Sequence, residues 1–199
     1  MKEQTAGLNR RIADRVRELR AEQGLSLDGL AGKSRVSRSM LSLIERGESS
    51  PTAVVLEKIA AALGVTLASL FDAPASAPPA NAEPIARRKD QPQWRDPASG
   101  YLRRNISPTN VAQPIHVIDV DFPAGSRVAF EGGPRGVCIY QQIWILYGAM
   151  DITYGDVSYR LREGDCLAIQ LDRPMMFHNP TRKPARYAVV IASETLPRR

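Results

Sequence analysis

Residues 26–47 read SLDGLAGKSRVSRSMLSLIERG, and the punctuation of this stretch decides how the first part of the chain folds. Ser26 is an N-cap residue whose side-chain oxygen can accept one of the free N–H groups at a helix start. In the helix it opens, Leu27, Leu30 and Ala31 face inward, Asp28 lies favourably in the first turn, and Gly29 is a weak point. Ser37 is the next N-cap. Behind it Leu41 and Ile44, three residues apart, form the buried pair of a second short helix that Gly47 stops. Only Arg35 and Val36 separate the two helices.

Two short helices joined by a tight turn, the second opening with small polar and basic residues, form the arrangement that places a helix N-terminus in the major groove of DNA. Arg38, Ser39 and Ser42 are expected to face solvent there. Upstream, Leu8, Ile12, Val16 and Leu19 share one face of a first helix, Arg10, Arg11, Arg17 and Arg20 lie elsewhere on it, and Gly24 ends it. Downstream, a fourth helix is predicted from Ser50-Pro51, where proline at the first helical position loses no hydrogen bond. It runs through Val55, Leu56, Ile59, Ala60 and Leu63 to Gly64, and Thr66 then caps a fifth helix, LASLF.

The segment LSLDGLAGKSRVSRSMLSLIERGESSPTAVVLEKIAAALGV (25–65) resembles the five-helix domain of the Cro/repressor-like (XRE) regulators of bacterial transcription, a likeness that extends over about residues 8–72. The resemblance implies that Arg38 and Ser39 read base edges, with Ser42 and Leu43 one turn later, and that Ser37 and Arg46 hold phosphates. Arg38 is the candidate for direct readout, because a guanidinium can donate two parallel bonds to guanine. One departure stands out. Arg35 occupies the turn position where the family usually has glycine, and a side chain in the left-handed region carries a steric cost of about 1 kcal/mol or more.

At residues 73–83 the chain reads APASAPPANAE, an Ala/Pro-rich, semi-rigid linker that cannot sustain a helix. Beyond it the apolar period changes from helical to two, in the runs PIARRK, YLRRNI, IHVIDVDF, RVAFE, VCIYQQIWILY, AMDITY, VSYRL, CLAIQL, MMFHN and RYAVVIA. Gly155-Asp156 between ITY and VSY marks a hairpin. The expected organisation is therefore a helical domain (1–72), the linker, and an antiparallel barrel or jelly roll (84–199).

The stretch QQIWILYGAMDITYGDVSYRLREGDCLAIQLDRPMMFHNP (141–180) resembles the cupin family, over about residues 101–193. Cupins that bind metal use two histidines and a glutamate, then a further histidine. On Gly148 and Gly164 as anchors, these positions fall on Arg135 and Val137 or their neighbours, Gln141, and Met175. None is the expected ligand, so no metal or other cofactor is predicted. His178, three residues after Met175, should point to the opposite strand face. His116 shares its parity with Ile118, Val120 and Phe122. His116, Gln141 and Met175 are thus the candidate lining of an effector pocket, with a buried structural bond as the competing role for His116.

The remaining features bound the function. Net charge is +6, compatible with a polyanionic partner without requiring one. Arg87, Arg88 and Lys89 read as a solvated strand edge. Cys138 and Cys166 are too few for a disulfide framework; packed thiols are expected, with a redox pair as the weaker alternative. Tyr140, Trp144 and Tyr147 belong to one strand as core or dimer-interface aromatics, and Trp94 is placed to dock the leading segment of the second domain. With no apolar run of membrane-spanning length and no signal-like block, a cytoplasmic location is expected. The expected function is a homodimeric regulator that binds operator DNA and senses a small-molecule effector. Two rivals are a cupin enzyme of isomerase or hydrolase type carrying a DNA-binding module, and a helical domain that contacts another protein.

Overall fold

The computed structural model describes residues 2–72, 83–109, 111, 114–132 and 137–195. The predicted linker lies outside the described residues apart from Glu83, as does Arg135. Four α-helices open the chain: α1 (Lys2–Glu22), α2 (Leu27–Ser34), α3 (Arg38–Glu45) and α4 (Ala53–Ala62). Ser26 accepts the Gly29 N–H at 3.0 Å, and Ser37 accepts that of Met40 at 3.3 Å. Each serine thereby satisfies a donor that its helix cannot.

Arg35 takes φ 56° and ψ 26°, left-handed as the turn demands, and its N–H closes α2 on the Ala31 carbonyl at 2.9 Å. Leu8, Ile12, Val16 and Leu19 pack with Leu30, Leu41, Ile44, Leu56, Ile59 and Leu63, all buried. Each large side chain of this kind contributes about 1.5–3 kcal/mol by leaving water.

Two helix expectations are corrected. α4 starts at Ala53 rather than at Ser50-Pro51, because Thr52 is the residue whose hydroxyl accepts a helical N–H, that of Val55 at 3.3 Å; the Ser50 hydroxyl instead accepts from Asn9 at 2.6 Å. LASLF forms a 3-10 turn, Ala68–Phe71, not a fifth α-helix. Thr66 does cap it, accepting Ser69 N–H at 3.1 Å, but Asp72 is already extended, which leaves four residues and favours the tighter turn.

Ten strands follow: β1 (Gln93–Arg95), β2 (Leu102–Asn105), β3 (Ile115–Phe122), β4 (Arg127–Phe130), β5 (Val137–Tyr147), β6 (Ala149–Tyr154), β7 (Val157–Arg162), β8 (Cys166–Gln170), β9 (Met175–His178) and β10 (Ala185–Thr195). They form a six-stranded sheet, β1-β2-β3-β10-β5-β8, and a four-stranded sheet, β4-β9-β6-β7, each antiparallel. The sheets face each other across an apolar core, with Phe177 of β9 stacked on Tyr187 of β10 at a ring separation of 5.7 Å. This is a two-sheet jelly roll, not a closed barrel. β1 and β8 edge one sheet, β4 and β7 edge the other, and among the described residues no ladder joins them.

The hairpin at Gly155-Asp156 pairs Tyr154 with Val157, and Gly155 adopts φ 58°. The run PIARRK makes no strand. Residues Arg88–Asp90 form an exposed 3-10 turn, since a consecutively charged run has nothing to bury on a sheet face, and the first strand comes at Gln93–Arg95 instead.

Candidate functional site

The exposed face of α3 is built from both of its ends. Leu41 and Ile44 anchor one side in the core, which leaves Ser37, Arg38, Ser39, Leu43 and Arg46 exposed and Ser42 half-exposed. Arg38 Nε lies 3.1 Å from Asp28 Oδ1, a pair that is open to solvent on both sides. Arg46 donates to the Ser42 hydroxyl and pairs with Glu48 at 2.8 Å, which holds the Glu48 carboxyl below its ordinary range.

Behind this surface α3 is clamped to α1. Arg20 Nε and Nη2 meet the two oxygens of Glu45 at 2.6 and 2.9 Å, its Nη1 donates to the Leu25 carbonyl at 2.7 Å, and Arg17 donates to the Glu45 carbonyl. The fork-on-carboxylate geometry is the strong form of such a bond, and Glu45 raises the pKa of Arg20 accordingly. A contact across twenty-five residues carries no local sequence signal.

The two domains meet along α4 and the 3-10 turn. Trp94 is buried edge-on against Phe71 at 5.9 Å and against Tyr101 at 5.8 Å, so it docks the β domain onto the helical one. Asp96 Oδ1 accepts the Ala53 N–H at 2.9 Å, and Lys58 pairs with Glu131 at 2.8 Å. Lys58 also holds Glu131 below its ordinary pKa.

Between the two sheets lies a cavity of about 80 Å³ whose lining includes Ala60, Ala61, Val65 and Leu67 of the helical domain. Gln141 and Met175 line it. His116 does not. It shares the inward face of β3, but it faces Asp72 of the helical domain instead, with Nδ1 to Oδ1 at 3.8 Å. Burial pushes the Asp72 carboxyl above its usual value, against the pull of His116 and two arginines. His178 alternates with the buried Met175 and Phe177 and lies on the other face.

Three further polar groups of the cavity were not singled out by sequence. Arg103, Tyr101 and Glu57 all line it. Burial raises Glu57 to about 7, with Glu131 adding to the shift and Lys58 opposing it. It also pushes the Tyr101 phenol upward and the Arg103 guanidinium downward. Among the described residues no cluster of three His, Cys, Asp or Glu side chains could hold a metal ion. Register places Cys166 beside Trp144 and Cys138 six residues away along β5, on the order of 20 Å, far beyond disulfide reach. The two thiols therefore form no redox pair within one chain.

The helical geometry defines a helix-turn-helix domain of the Cro/repressor-like type. Residues 16–70 match the family HTH_3, Helix-turn-helix. The HTH-type transcriptional regulator SutR of Escherichia coli (strain K12) is 42% identical over 77 residues, 39% of this chain and 43% of that protein. The HTH-type transcriptional regulator SinR of Bacillus subtilis (strain 168) is 42% identical over 62 residues, 31% of this chain and 56% of that protein. The chain thus spans about half the length of the curated relatives it matches. A crystal structure of an HTH_3 family transcriptional regulator from Vibrio cholerae superposes over 98% of this chain and 99% of its own, with a TM-score of 0.72 and 25% identity. That match extends through the β-rich C-terminal domain. Among the described residues no helix is long and apolar enough to cross a membrane.

Proposed function

We propose that this protein is a sequence-specific DNA-binding transcription regulator that works in the cytoplasm as a homodimer and whose cupin-like domain senses a small-molecule effector. The observation that carries this reading is α3: its leading end is exposed and lined by Ser37, Arg38 and Ser39, while its opposite side is fixed by Leu41, Ile44 and the Arg20–Glu45 pair. Arg38 and Ser39 read base edges, Ser42 and Leu43 contact the next pairs, and Ser37 and Arg46 hold phosphates. The relatives named above, all described as transcriptional regulators, support the same assignment.

The outer face of the six-stranded sheet supports the dimer reading. Tyr140, Gln142, Trp144 and Val190 lie side by side in register and exposed, with Trp144 51% and Tyr140 47% accessible. An apolar, aromatic face of this kind is suited to a second copy, and two recognition helices about 34 Å apart then read one face of the duplex. The sensing domain is not an enzyme in this reading. Gln141 and Met175 stand where metal-binding cupins carry ligands, and a neutral amide and a thioether make a poor shell for a hard cation.

Selection of genomic fragments retained by the purified full-length chain, followed by a salt titration, tests the proposal. A recurring two-fold site is expected, bound with an affinity that falls with a log–log slope of about 0.9 per phosphate neutralised. Retention of no fragment above background refutes it.

A further inference from the structure

The two neighbouring arginines of β2 have opposite fates. Arg104 donates to Asp119, which Arg186 also grips at 2.8 and 3.1 Å; although burial alone would raise the Asp119 carboxyl, these partners hold it below its ordinary range. Arg104 is a compensated charge. Arg103 points the other way, into the cavity between the sheets, and is 7% exposed. Its Nε donates to Asn105 Oδ1 at 3.3 Å and its guanidinium lies 5.2 Å from the Phe71 ring centroid, but among the described residues its Nη2 has no hydrogen-bond partner. The Asp72 carboxyl acts on it through space, but among the described residues no carboxylate oxygen comes within ion-pair distance of it.

A buried guanidinium with an unbonded N–H and no carboxylate in contact costs several kcal/mol, a cost that an anion reaching Nη2 would offset. The rest of the cavity limits what that anion is attached to. Val120, Phe122, Ile139 and Phe177 make apolar walls, Gln141, Tyr101 and the Glu57 carboxyl add polar groups, and the volume of about 80 Å³ suits a small body. The helical domain supplies the roof through Ala60, Ala61, Val65 and Leu67.

Resting on the effector-sensing reading above, we infer that the effector is a small carboxylate with an apolar body, bound through Arg103 and enclosed beneath α4 of the DNA-binding domain. A carboxylate oxygen can accept from the unpartnered Nη2, and the body of the ligand fills the space between the sheets. Because Arg103 also stacks on Phe71, and α4 follows the recognition helix in the same small core, occupancy bears directly on how the helical domain docks. Coupling of ligand to DNA then needs no long relay, only a difference in ligand affinity between docked and undocked arrangements.

Calorimetric titration of the full-length chain with acetate, butanoate, 3-methylbutanoate and hexanoate, each beside its neutral amide, tests the assignment. At least one acid should bind about ten-fold or more tightly than its amide, corresponding to about 1.4 kcal/mol. Arg103→Gln should bring the pair within about two-fold, and Ala61→Trp in the roof should weaken binding of the acid about ten-fold while Arg103 is intact. The comparison of acid with amide on the unmodified chain stands even if Arg103→Gln does not fold. Equal binding of acid and amide, or binding of neither throughout the series, overturns the carboxylate assignment. The same preparations are assayed for retention of genomic DNA: fragments retained without any preference for acid sink this inference and leave the regulator reading intact, whereas loss of both sinks the two together.

Discussion

The side chain of Asp96, in the β domain, caps a helix of the other domain: its Oδ1 accepts the backbone N–H of Ala53, the first residue of α4, at 2.9 Å. Its second oxygen is held by the Ser99 N–H at 2.8 Å and the Ser99 hydroxyl at 2.5 Å, so the carboxylate is fixed in place and almost fully buried. Replacing a capping aspartate by alanine costs about 1 kcal/mol of helix stability. Here the cap also ties two domains. Asp96→Ala should therefore lower the thermal midpoint by about 2–4 °C and make the region between the domains cleave faster in limited proteolysis. A midpoint shift with unchanged proteolysis would show that the bond stabilises α4 without holding the domains together.

Glu57 makes the same interface sensitive to pH. Burial raises its carboxyl from the ordinary 4.5 to about 7, so the folded state binds a proton that the unfolded chain has already released between those values. The resulting stability is complete below pH 4.5 and is lost as pH rises through 7. After allowance for partial solvent screening the loss is about 2 kcal/mol. Glu57→Gln should keep a higher midpoint at pH 8.5 and flatten the profile between pH 5.5 and 8.5; parallel profiles for the two proteins in differential scanning calorimetry would contradict this account.

Arg35 holds φ 56° at a position where its side chain is exposed, which leaves backbone strain as the main effect of substitution there. Glycine relieves a cost of about 1 kcal/mol and returns part of it as unfolded-state entropy. Arg35→Gly is expected to raise the midpoint by about 1–3 °C, and Arg35→Val to lower it, since a β-branched side chain tolerates this region least. Chemical denaturation in urea reads both changes.

What was legible in the chain follows the range of the interactions concerned. Ser26, Ser37 and Gly24 act within a few residues of themselves, and their punctuation of α1, α2 and α3 reads directly from the letters. The cupin resemblance, anchored on Gly148 and Gly164, singled out Gln141 and Met175, and both line the cavity. Strand parity put His116 on the inward face, but parity could not say where along the strand the cavity stops, and His116 meets Asp72 instead. Arg103, Glu57 and Asp96 matter because one domain docks on the other. Each looks like an ordinary surface charge until that docking is known.

The exposed aromatic face of the six-stranded sheet gives a separate test of assembly. Trp144 is flanked in register by Ala188 and Cys166, so a charge placed there meets no neutralising neighbour if a second copy covers it. Trp144→Glu should shift the mass in sedimentation equilibrium from twice to once the 21.9 kDa of the chain, with the thermal midpoint of the domain little changed. Dimers that persist in the variant at micromolar concentration would place the interface elsewhere.

Arg38 and Arg46 separate the two kinds of contact expected of α3. Arg38 is 65% exposed in its side chain and, among the described residues, pairs with Asp28, itself 75% exposed, a pair that is worth little in water and readily exchanged for a base edge. Arg38→Ala should cost about 1–3 kcal/mol at the selected site and less on unrelated DNA, and it should relax preference at one base position. Arg46, held over Ser42 and Glu48 at the far end of the helix, is the proposed phosphate contact. Arg46→Ala should weaken binding to all sequences alike and reduce the salt slope by about 0.9 per half-site. Fluorescence anisotropy on specific and scrambled duplexes across a salt series measures both quantities. If the two variants interchange these signatures, α3 lies in the groove with its opposite end leading; if neither changes anything, the domain binds DNA through another surface.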